Sequence, residues 1–516
     1  MSESMNLAAL LRNRVALHPD RLAYIDGNSH LRLTFNELSE RVDRLGNALR
    51  AAGIEKGERV GLLLMNSAEF VEAYFALGLV GAVVVPLNWR LVPDELEFIL
   101  KDSGTKRLIF DEEFLDTVTE LHSRGDKTDI KQWLQVEGDV DVADFADGYT
   151  AFRNGGAAEP PAFGAGADDM LYIMYTSGTT GLPKGVVHTH RTSFWSALTI
   201  ASTADYHEGD VFLSPLPMFH VGALTPLTVN IYQGSTSVVM RSFDPTRAWE
   251  LLEKERVTTA LMVPAMLNFM LQVKVPDASA YAQLRWVMSG AAPVPVSLTA
   301  AYNDIGIRIL EIYGLTETCG PACLMDSEHA LAKPGSTGKQ FYFTKIKIAG
   351  DDGIEVPRGE AGEVWVQGEH VMREYWNRPD ATAETLVDGW LRTGDVAMMD
   401  EDGFVFIQDR IKDMIISGGE NVYPAELENV LMSHPDIAEA AVIGHESEKW
   451  GESPFAIVVR TRDDLTEAEV LNHCQGKMAP FKQPKGAAFI DVIPRNPSGK
   501  ILKRVLREQF PGPAPV

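Results

Sequence analysis

The chain has 516 residues, of which 45% are hydrophobic, so it is too long for one ordinary domain. Its formal net charge of −25 argues against a nucleic-acid partner, because such binding relies on Lys and Arg that neutralise phosphates. No apolar run approaches the roughly 18 residues of a spanning helix, and the start lacks an export signal. The three cysteines (Cys319, Cys323 and Cys474) show no metal-ligand spacing, which suits a reducing compartment. We therefore expect a cytoplasmic protein without a transmembrane segment; peripheral membrane contact and the oligomeric state stay open.

Strand and helix patterns alternate over the first 110 residues. Thr34 can cap a helix whose apolar residues recur at helical spacing as far as Leu49. The runs that follow predict strands at 60–65, 82–85 and 107–110 and helices at 69–79 and 95–100. Such alternation indicates parallel sheets covered by helices, and hence an α/β fold.

Three changes of pattern divide the remaining chain. Residues 123–168 show no clear periodicity and are predicted to be a surface connection. The pattern then predicts a strand at 171–175, a helix from about Arg191 and a second alternating block at 211–263, which we interpret as a second sheet. Beyond Thr337, short strands with turns predict a β subdomain, and a compact α+β unit follows a boundary near residue 410.

The segment 175–186 reads Tyr-Thr-Ser-Gly-Thr-Thr-Gly-Leu-Pro-Lys-Gly-Val and follows a buried strand. Its glycines let backbone amides approach an anion closely, its hydroxyls donate, and Lys184 adds a positive charge. No Gly-Lys-Ser/Thr closes it, so it is not a Walker loop. A plain polar turn is the alternative, but the lysine and the run of hydroxyls favour a phosphate-binding loop, called the cradle below.

The cradle resembles the signature loop of the acyl-adenylate-forming superfamily, which includes acyl-CoA synthetases, luciferases and peptide-synthetase adenylation domains. Further motifs occur in the family's order at 215–220, 288–293, 312–318, 390–395, 412–424 and 494–500. Within the superfamily, the chain resembles mycobacterial-type long-chain or very-long-chain fatty-acyl-CoA synthetases. The resemblance implies a large N-terminal adenylation domain (1–409) of two helix-covered sheets plus the β subdomain, a hinge (410–412) and a small mobile α+β domain (413–516).

The same resemblance assigns residues to the nucleotide, the metal and the catalytic steps. The ATP and AMP contacts would be Thr176, Ser177, Gly178, Thr179, Thr180, Gly181, Lys184, Gly290, Ala291, Ala292, Pro293, Tyr313, Gly314, Thr316, Asp395 and Arg410. A carboxylate near a triphosphate requires a cation between them, so Glu317, with Thr176, is the expected Mg²⁺ ligand. Lys500 would act in adenylation, Lys412 would be the hinge, and His220 would border the acyl pocket or orient the carboxylate.

Two further sets follow from the resemblance. The acyl pocket would be lined by Phe219, His220, Val221, Gly222, Ala223 and Gly314. The CoA contacts would be Gly418, Gly419, Trp450, Lys477, Phe481 and Lys482. Asn421 replaces an Arg found in some relatives, which leaves the matching CoA phosphate contact open. Residues 477–507 hold eight basic residues and one acidic residue, which we interpret as a surface that anions visit.

These assignments predict a fatty-acid CoA ligase that consumes ATP and CoA with Mg²⁺ and forms an acyl-adenylate. An aromatic-carboxylate CoA ligase is the alternative within the class. A luciferase-like oxygenase and an acyl-AMP ligase that loads a carrier protein are alternatives from other classes. A non-catalytic acyl-binding protein is disfavoured, because Glu317, Asp395 and Lys500 are all present.

Overall fold

The computed structural model describes most of the chain. The described residues are 5–176, 183–326, 328–410, 413–417, 420–447, 451–475, 477–478, 480, 482–495 and 501–512. In these ranges the strands are β1 (Leu22–Asp26), β2 (Arg32–Thr34), β3 (Arg59–Leu63), β4 (Val83–Pro86), β5 (Arg107–Asp111), β6 (Gln132–Val136), β7 (Asp147–Gly148), β8 (Met170–Thr176), β9 (Lys184–Thr189), β10 (Val211–Ser214), β11 (Thr236–Val239), β12 (Thr259–Met262), β13 (Trp286–Gly290), β14 (Ile309–Tyr313), β15 (Cys323–Leu324), β16 (Lys339–Gln340), β17 (Lys345–Ala349), β18 (Ala361–Gln367), β19 (Glu374–Tyr375), β20 (Leu386–Val387), β21 (Trp390–Met399), β22 (Val405–Arg410), β23 (Ile415–Ser417), β24 (Glu420–Val422), β25 (Ile437–Ser447), β26 (Gly451–Arg460) and β27 (Ala487–Phe489).

Helices cover these strands. In the same ranges they are α1 (Leu7–Leu17), α2 (Phe35–Ala51), α3 (Ala68–Val80), α4 (Pro93–Ser103), α5 (Leu115–Ser123), α6 (Tyr149–Asn154), α7 (His190–Thr203), α8 (Val221–Gln233), α9 (Pro245–Lys254), α10 (Pro264–Gln272), α11 (Val296–Asp304), α12 (Pro379–Thr385), α13 (Pro424–Met432), α14 (Glu467–Cys474) and α15 (Lys503–Gln509). No helix in this part of the chain is long and apolar enough to cross a membrane.

Two large sheets dominate the N-terminal part. Over the described residues, one runs in the order β19-β9-β8-β4-β3-β5-β6-β7 and the other in the order β16-β15-β14-β13-β12-β10-β11-β1-β2. Their inner neighbours, such as β3 with β4 and β13 with β14, pair in parallel, while β8 and β9, next to the edge strand β19, pair antiparallel. The prediction of parallel, helix-covered sheets is therefore confirmed.

Local chemistry explains why the early elements form where the sequence predicted them. The Thr34 side chain accepts from the backbone of Glu37, whose carboxylate accepts from the Thr34 backbone, so a capping box begins α2. The periodic Leu38, Val42 and Leu45 of α2 are buried against α3. Because β4 is buried along its whole length, its sequence is a continuous apolar run.

The prediction for residues 123–168 is wrong. This segment contributes β6 and β7 to the first large sheet, and α6 packs on α2. Tyr149 and Arg153 of α6 are buried and donate to the Glu72 carboxylate at 3.1 and 2.9 Å. These elements are too short to show a period in the sequence. They are stabilised by pairing and packing with segments that are distant in sequence.

A smaller sheet follows, in the order β17-β18-β21-β20 with β22 paired to β21. The predicted β subdomain is thus confirmed. The C-terminal sheet has the order β24-β23-β26-β25, with β27 paired to β26. The half-buried Lys503 of α15 forms ion pairs with Asp409 (3.6 Å) and Glu428 (3.0 Å), so it ties this last unit to the end of β22.

The strand ends of the two large sheets meet. Asn66, just after β3, donates through Nδ2 to the carbonyls of Leu216 (2.8 Å) and Met240 (3.0 Å), which follow β10 and β11. Arg241 pairs with Asp111 at the end of β5. Because ligands of parallel sheets bind at the carboxyl ends of the strands, this junction is where a site is expected.

Candidate active site

Glu317 lies in a single 3₁₀ turn, Thr316–Thr318, directly after β14. Its Oε1 accepts a hydrogen bond from Tyr375 Oη at 2.7 Å. Tyr375 belongs to β19, which pairs with β9 through Val186. Glu317, the expected metal ligand, follows a strand of the second large sheet. It is held by Tyr375 of the first large sheet, from a strand that pairs with β9 at the end of the cradle.

The two described ends of the cradle face each other. Thr176 ends β8 and stands opposite Lys184 in the β8–β9 register. The Lys184 Nζ lies 5.2 Å from the centroid of the Tyr375 ring. Tyr375 thus contacts both the cradle lysine and the Glu317 carboxylate. The calls on Ser177, Gly178, Thr179, Thr180 and Gly181 lie outside the described residues.

The predicted adenine loop continues from β13. Gly290 is opposite Ile312 of β14, and a Cβ on Gly290 would lie 2.2 Å from the Ile312 carbonyl oxygen. Ala291 follows with a φ of +66°, and then come Ala292 and Pro293. The backbones of β13 and β14 therefore lie close together here, with small side chains, which suits contact with a flat ring.

Tyr313, at the end of β14, donates from Oη to Asp395 Oδ2 at 2.7 Å. Burial and the neighbouring Asp395 carboxylate raise the pKa of Tyr313 well above its usual range, so the phenol stays a neutral donor. Asp395 is 5% exposed and stands opposite Arg410 in the β21–β22 register. The expected ribose ligands are thus adjacent, and one oxygen of Asp395 is already fixed.

The segment expected to border the acyl pocket begins α8. Phe219 is buried and meets the edge of Trp89, with ring centroids 6.0 Å apart. His220 packs on Phe219, and its Nε2 is buried without a hydrogen-bond partner among the described residues. Burial first, and the charge of Arg90 second, lower the pKa of His220 to about 4. At neutral pH it is therefore an uncharged imidazole with an unused polar atom.

The small residues beside His220 differ from one another. Val221 and Gly222 are half-buried, whereas Ala223 belongs to the main hydrophobic core. A Cβ on Gly222 would meet Leu216 Cδ1 at 3.4 Å, an ordinary contact. A Cβ on Gly314 would lie only 1.5 Å from the Gly320 carbonyl oxygen. The room beside Gly222 is thus compatible with a neighbouring acyl chain. Gly314 instead allows the backbone at 314 to lie close to the backbone of Gly320.

Part of the predicted C-terminal site lies within the described residues. The calls on Lys412, Gly418, Gly419, Trp450, Phe481 and Lys500 lie outside the described residues. Lys477 Nζ lies 2.8 Å from His473 Nε2, and Lys482 pairs with Glu426 at 2.7 Å.

The basic stretch 477–507 is largely paired within the protein. Besides Lys482 and Lys503, the cations with carboxylate partners are Arg495 (Glu439), Arg504 (Glu508) and Arg507 (Asp413). Most of these carboxylates lie more than 50 residues before the cation that they pair with, so the composition of the stretch alone did not reveal them. Most of the positive charge on the described residues of this stretch is therefore compensated within the fold.

Sequence reasoning missed two parts of the site. One is Tyr375, since a tyrosine in a short edge strand gives no signal. The other is Asp102, whose carboxylate accepts from Tyr175 Oη and from Arg378 Nη2, both at 2.7 Å. This contact anchors the end of β8, where the cradle begins, to the segment that follows Tyr375.

Comparison with known proteins agrees with this architecture. Residues 11–376 match the AMP-binding enzyme family, and residues 426–500 match the AMP-binding enzyme C-terminal domain. The chain is 42% identical over 511 residues to the long-chain-fatty-acid–CoA ligase FadD13 of Mycobacterium tuberculosis, covering 99% of both chains. It is 39% identical over 500 residues to a feruloyl-CoA synthase of Amycolatopsis, covering 96% of this chain and 97% of the relative. The crystal structure of ATP-bound MatB from Rhodopseudomonas palustris superposes with a TM-score of 0.89 at 30% identity, covering 99% of both chains.

The fold and these matches define the class as AMP-forming acyl-CoA synthetases, whose substrates are ATP, CoA and a small carboxylic acid and whose metal is Mg²⁺. The chain belongs to the AMP-binding enzyme family.

Proposed function

We propose that this enzyme activates a fatty acid. It would first join the carboxylate to AMP with release of pyrophosphate, and then transfer the acyl group to the thiol of CoA. The observation that supports the first step best is the convergence of three residues from the two large sheets. Tyr375 contacts Lys184 through its ring and Glu317 through its hydroxyl.

In the adenylation step, each residue would have a separate task. Lys184 and the cradle would bind the phosphates, and Asp395, held by Tyr313, would accept from the ribose hydroxyls. The neutral His220 would face the acid with an unpaired nitrogen able to orient its carboxylate. Lys500 would stabilise the charge that develops between carboxylate and α-phosphate.

The donor set fits a magnesium ion that is shared with the phosphates. Mg²⁺ takes one or two carboxylates, keeps waters and binds phosphate oxygens, and Glu317 offers one carboxylate with Thr176 as a hydroxyl donor nearby in the cradle. When bound, the ion would supply positive charge to the phosphate oxygens. The Tyr375 hydroxyl engages Oε1 of Glu317, and Oε2 would bind the ion.

In the second step, residues 413–516 would turn about 410–412. The turn would withdraw Lys500 and bring Gly418 and Gly419 to the site, which would open a path for the CoA thiol. The match of residues 426–500 to a separate C-terminal family domain supports a unit that moves as a whole.

The acid is proposed to be aliphatic. The resemblance to FadD13 over the full chain supports this choice, and the carbons nearest to Gly222 belong to Leu216 and Leu261. The feruloyl-CoA synthase relative favours the second candidate, an aromatic acid, and the Trp89–Phe219 pair beside His220 could stack on a ring.

Pyrophosphate release across a panel of acids decides between these substrates. The panel should run from acetate to very long chains and include benzoate and 4-hydroxycinnamate. We expect the specificity constant for dodecanoate to be higher than the constant for 4-hydroxycinnamate. A specificity constant for 4-hydroxycinnamate well above that for dodecanoate would refute the proposal.

Two variants at Gly222 locate the pocket. Gly222→Trp should shorten the accepted chain while acetate is still activated, because the indole would fill space beyond the carboxylate. Gly222→Ala is the matched control and should leave the chain-length profile unchanged, since its Cβ has room. Equal loss with acetate and palmitate in the Trp variant would show that Gly222 does not line the pocket.

A further inference from the structure

Four successive carbonyl groups of the turn that presents Glu317 each accept a hydrogen bond from outside the turn. The Thr316 oxygen lies 2.7 Å from His188 Nε2, and the Glu317 oxygen accepts from the Met372 backbone at 2.8 Å. The Thr318 oxygen lies 2.9 Å from His370 Nδ1. The Cys319 oxygen accepts from Ser196 Oγ (2.8 Å) and Thr225 Oγ1 (2.9 Å).

These donors come from four separate elements. His188 is in β9, Ser196 is in α7 and Thr225 is in α8, whereas His370 and Met372 lie between β18 and β19. The turn itself extends the second large sheet, because it follows β14. Strand β9, helices α7 and α8 and the loop between β18 and β19 therefore meet on four successive residues, 316–319. The position of the Glu317 carboxylate relative to the cradle depends on these contacts.

The two histidines are fixed at both ring nitrogens. A carbonyl oxygen only accepts, so the nitrogen that faces it carries the proton: Nε2 in His188 and Nδ1 in His370. The second nitrogen of His188 lies 3.0 Å from Thr192 Oγ1, and that of His370 lies 2.8 Å from Thr344 Oγ1. Both rings are fully buried, so neither can rotate to another partner without losing a buried hydrogen bond.

We infer that His188 and His370 are positioning residues that hold the Thr316–Thr318 turn from opposite ends, so that the Glu317 carboxylate faces the phosphate site. This inference rests on the proposed role of Glu317 as a metal ligand. Each histidine acts through the backbone of the turn, because its ring nitrogen donates to a carbonyl oxygen there. Loss of the His370 donor removes a buried hydrogen bond from the Thr318 carbonyl. Loss of the His188 donor leaves the Thr316 carbonyl with its hydrogen bond from the Cys319 amide at 3.0 Å, which lies within the turn. In either case the turn is held less firmly against its surroundings, and the metal ligand beside it shifts.

Asn and Gln substitutions test this geometry, because each amide nitrogen matches a different ring nitrogen. The Asn amide nitrogen occupies the place of Nδ1, and the Gln amide nitrogen reaches the place of Nε2. His188→Gln and His370→Asn therefore keep the donor to the turn, whereas His188→Asn and His370→Gln remove it. The same two residue types are thus expected to give opposite results at the two positions.

The measurement is the affinity for Mn²⁺, followed by its electron paramagnetic resonance signal, in the presence of a non-hydrolysable ATP analogue. We expect His188→Gln and His370→Asn to stay within about threefold of wild type, and the other two to bind Mn²⁺ about 10- to 100-fold more weakly. Pyrophosphate release by the weakened variants should recover at high Mg²⁺, since a shifted ligand lowers affinity more than it lowers the rate with metal bound.

His190 supplies a matched control. It is buried two residues from His188, but its Nδ1 accepts from the backbone of Leu7 at 3.0 Å and does not contact the turn. His190→Asn and His190→Gln should lower stability without changing the Mn²⁺ affinity by more than about twofold.

Each outcome decides a different point. Equal Mn²⁺ affinities among the four variants, or a reversed pattern, would overturn the inference. If the donor-removing variants do not fold, Thr344→Val is the decisive variant, because it removes the Thr344 hydroxyl from the His370 ring and leaves the ring in place. Unchanged Mn²⁺ affinity in Thr344→Val would overturn the inference, and weaker Mn²⁺ binding would support it. Glu317→Gln separates the two proposals, since unchanged affinity would overturn the metal-ligand role and this inference with it. A loss in Glu317→Gln without the Asn/Gln pattern would overturn only the inference.

Discussion

Gly314→Ala should damage both stability and adenylation, whereas Gly222→Ala should be tolerated. Both glycines were assigned to the acyl pocket by resemblance, but the structure separates them. The new Cβ at position 314 would lie 1.5 Å from the Gly320 carbonyl oxygen, and Cβ atoms essentially never come within 3.0 Å of such a neighbour. The obstacle is backbone, so it cannot be relieved by a side-chain rotation, and the segment must move by about 1.5 Å.

The cost follows from that displacement. Overpacking a core by a methylene typically costs about 1–3 kcal/mol, and a clash with backbone belongs at or above the upper end. For a large domain, about 3 kcal/mol corresponds to a fall in Tm of roughly 6–12 °C. Gly320 closes the turn that carries Glu317, because its amide donates to the Leu315 carbonyl at 3.1 Å. The same displacement should therefore move the metal ligand and reduce pyrophosphate release.

Thermal unfolding followed by circular dichroism, together with pyrophosphate release, measures both effects. At position 222 the nearest atom to a new Cβ is a leucine methyl at 3.4 Å, so we expect a change below about 1 kcal/mol. A Gly314→Ala enzyme with a Tm within about 2 °C of wild type and unimpaired pyrophosphate release would refute the reasoning.

Three further variants probe other parts of the molecule. Lys500→Ala should abolish acyl-adenylate formation but largely spare thioester formation from supplied acyl-AMP; equal loss in both half-reactions would contradict the domain rotation. Lys412→Pro should do the reverse, keeping pyrophosphate exchange and losing thioester formation, because proline fixes φ at the hinge; a Pro variant active in both would contradict the hinge assignment. Burial, opposed by Arg241, raises the pKa of the Asp111 carboxyl from 3.8 to about 6, so the folded state binds that proton more tightly and stability falls as pH rises between these values. Between pH 4 and 7 this group should lower the free energy of unfolding by about 2 kcal/mol, and Asp111→Asn should remove that component in urea unfolding at the two pH values; parallel pH profiles for both proteins would show that Asp111 is not responsible.

Local sequence signals predicted the elements whose stability is local. The Thr34–Glu37 capping box and the periodic leucines are enough to define α2, and continuous apolar runs define β4 and β10. The motifs also indicated the chemistry, because a Gly-rich loop with a lysine, followed by the Thr-Glu-Thr turn, has residue types suited to phosphate and magnesium.

Only the tertiary structure decided how those motifs are held. Tyr375 is 58 residues from Glu317, His188 is 128 residues from Thr316, and His370 is 52 residues from Thr318. None of these pairs has a sequence pattern, because a hydrogen bond between distant segments depends on how the sheets pack and not on a repeat. For the same reason, β6, β7 and α6 could not be predicted from 123–168, and the partners of the C-terminal cations emerged only once the chain was folded.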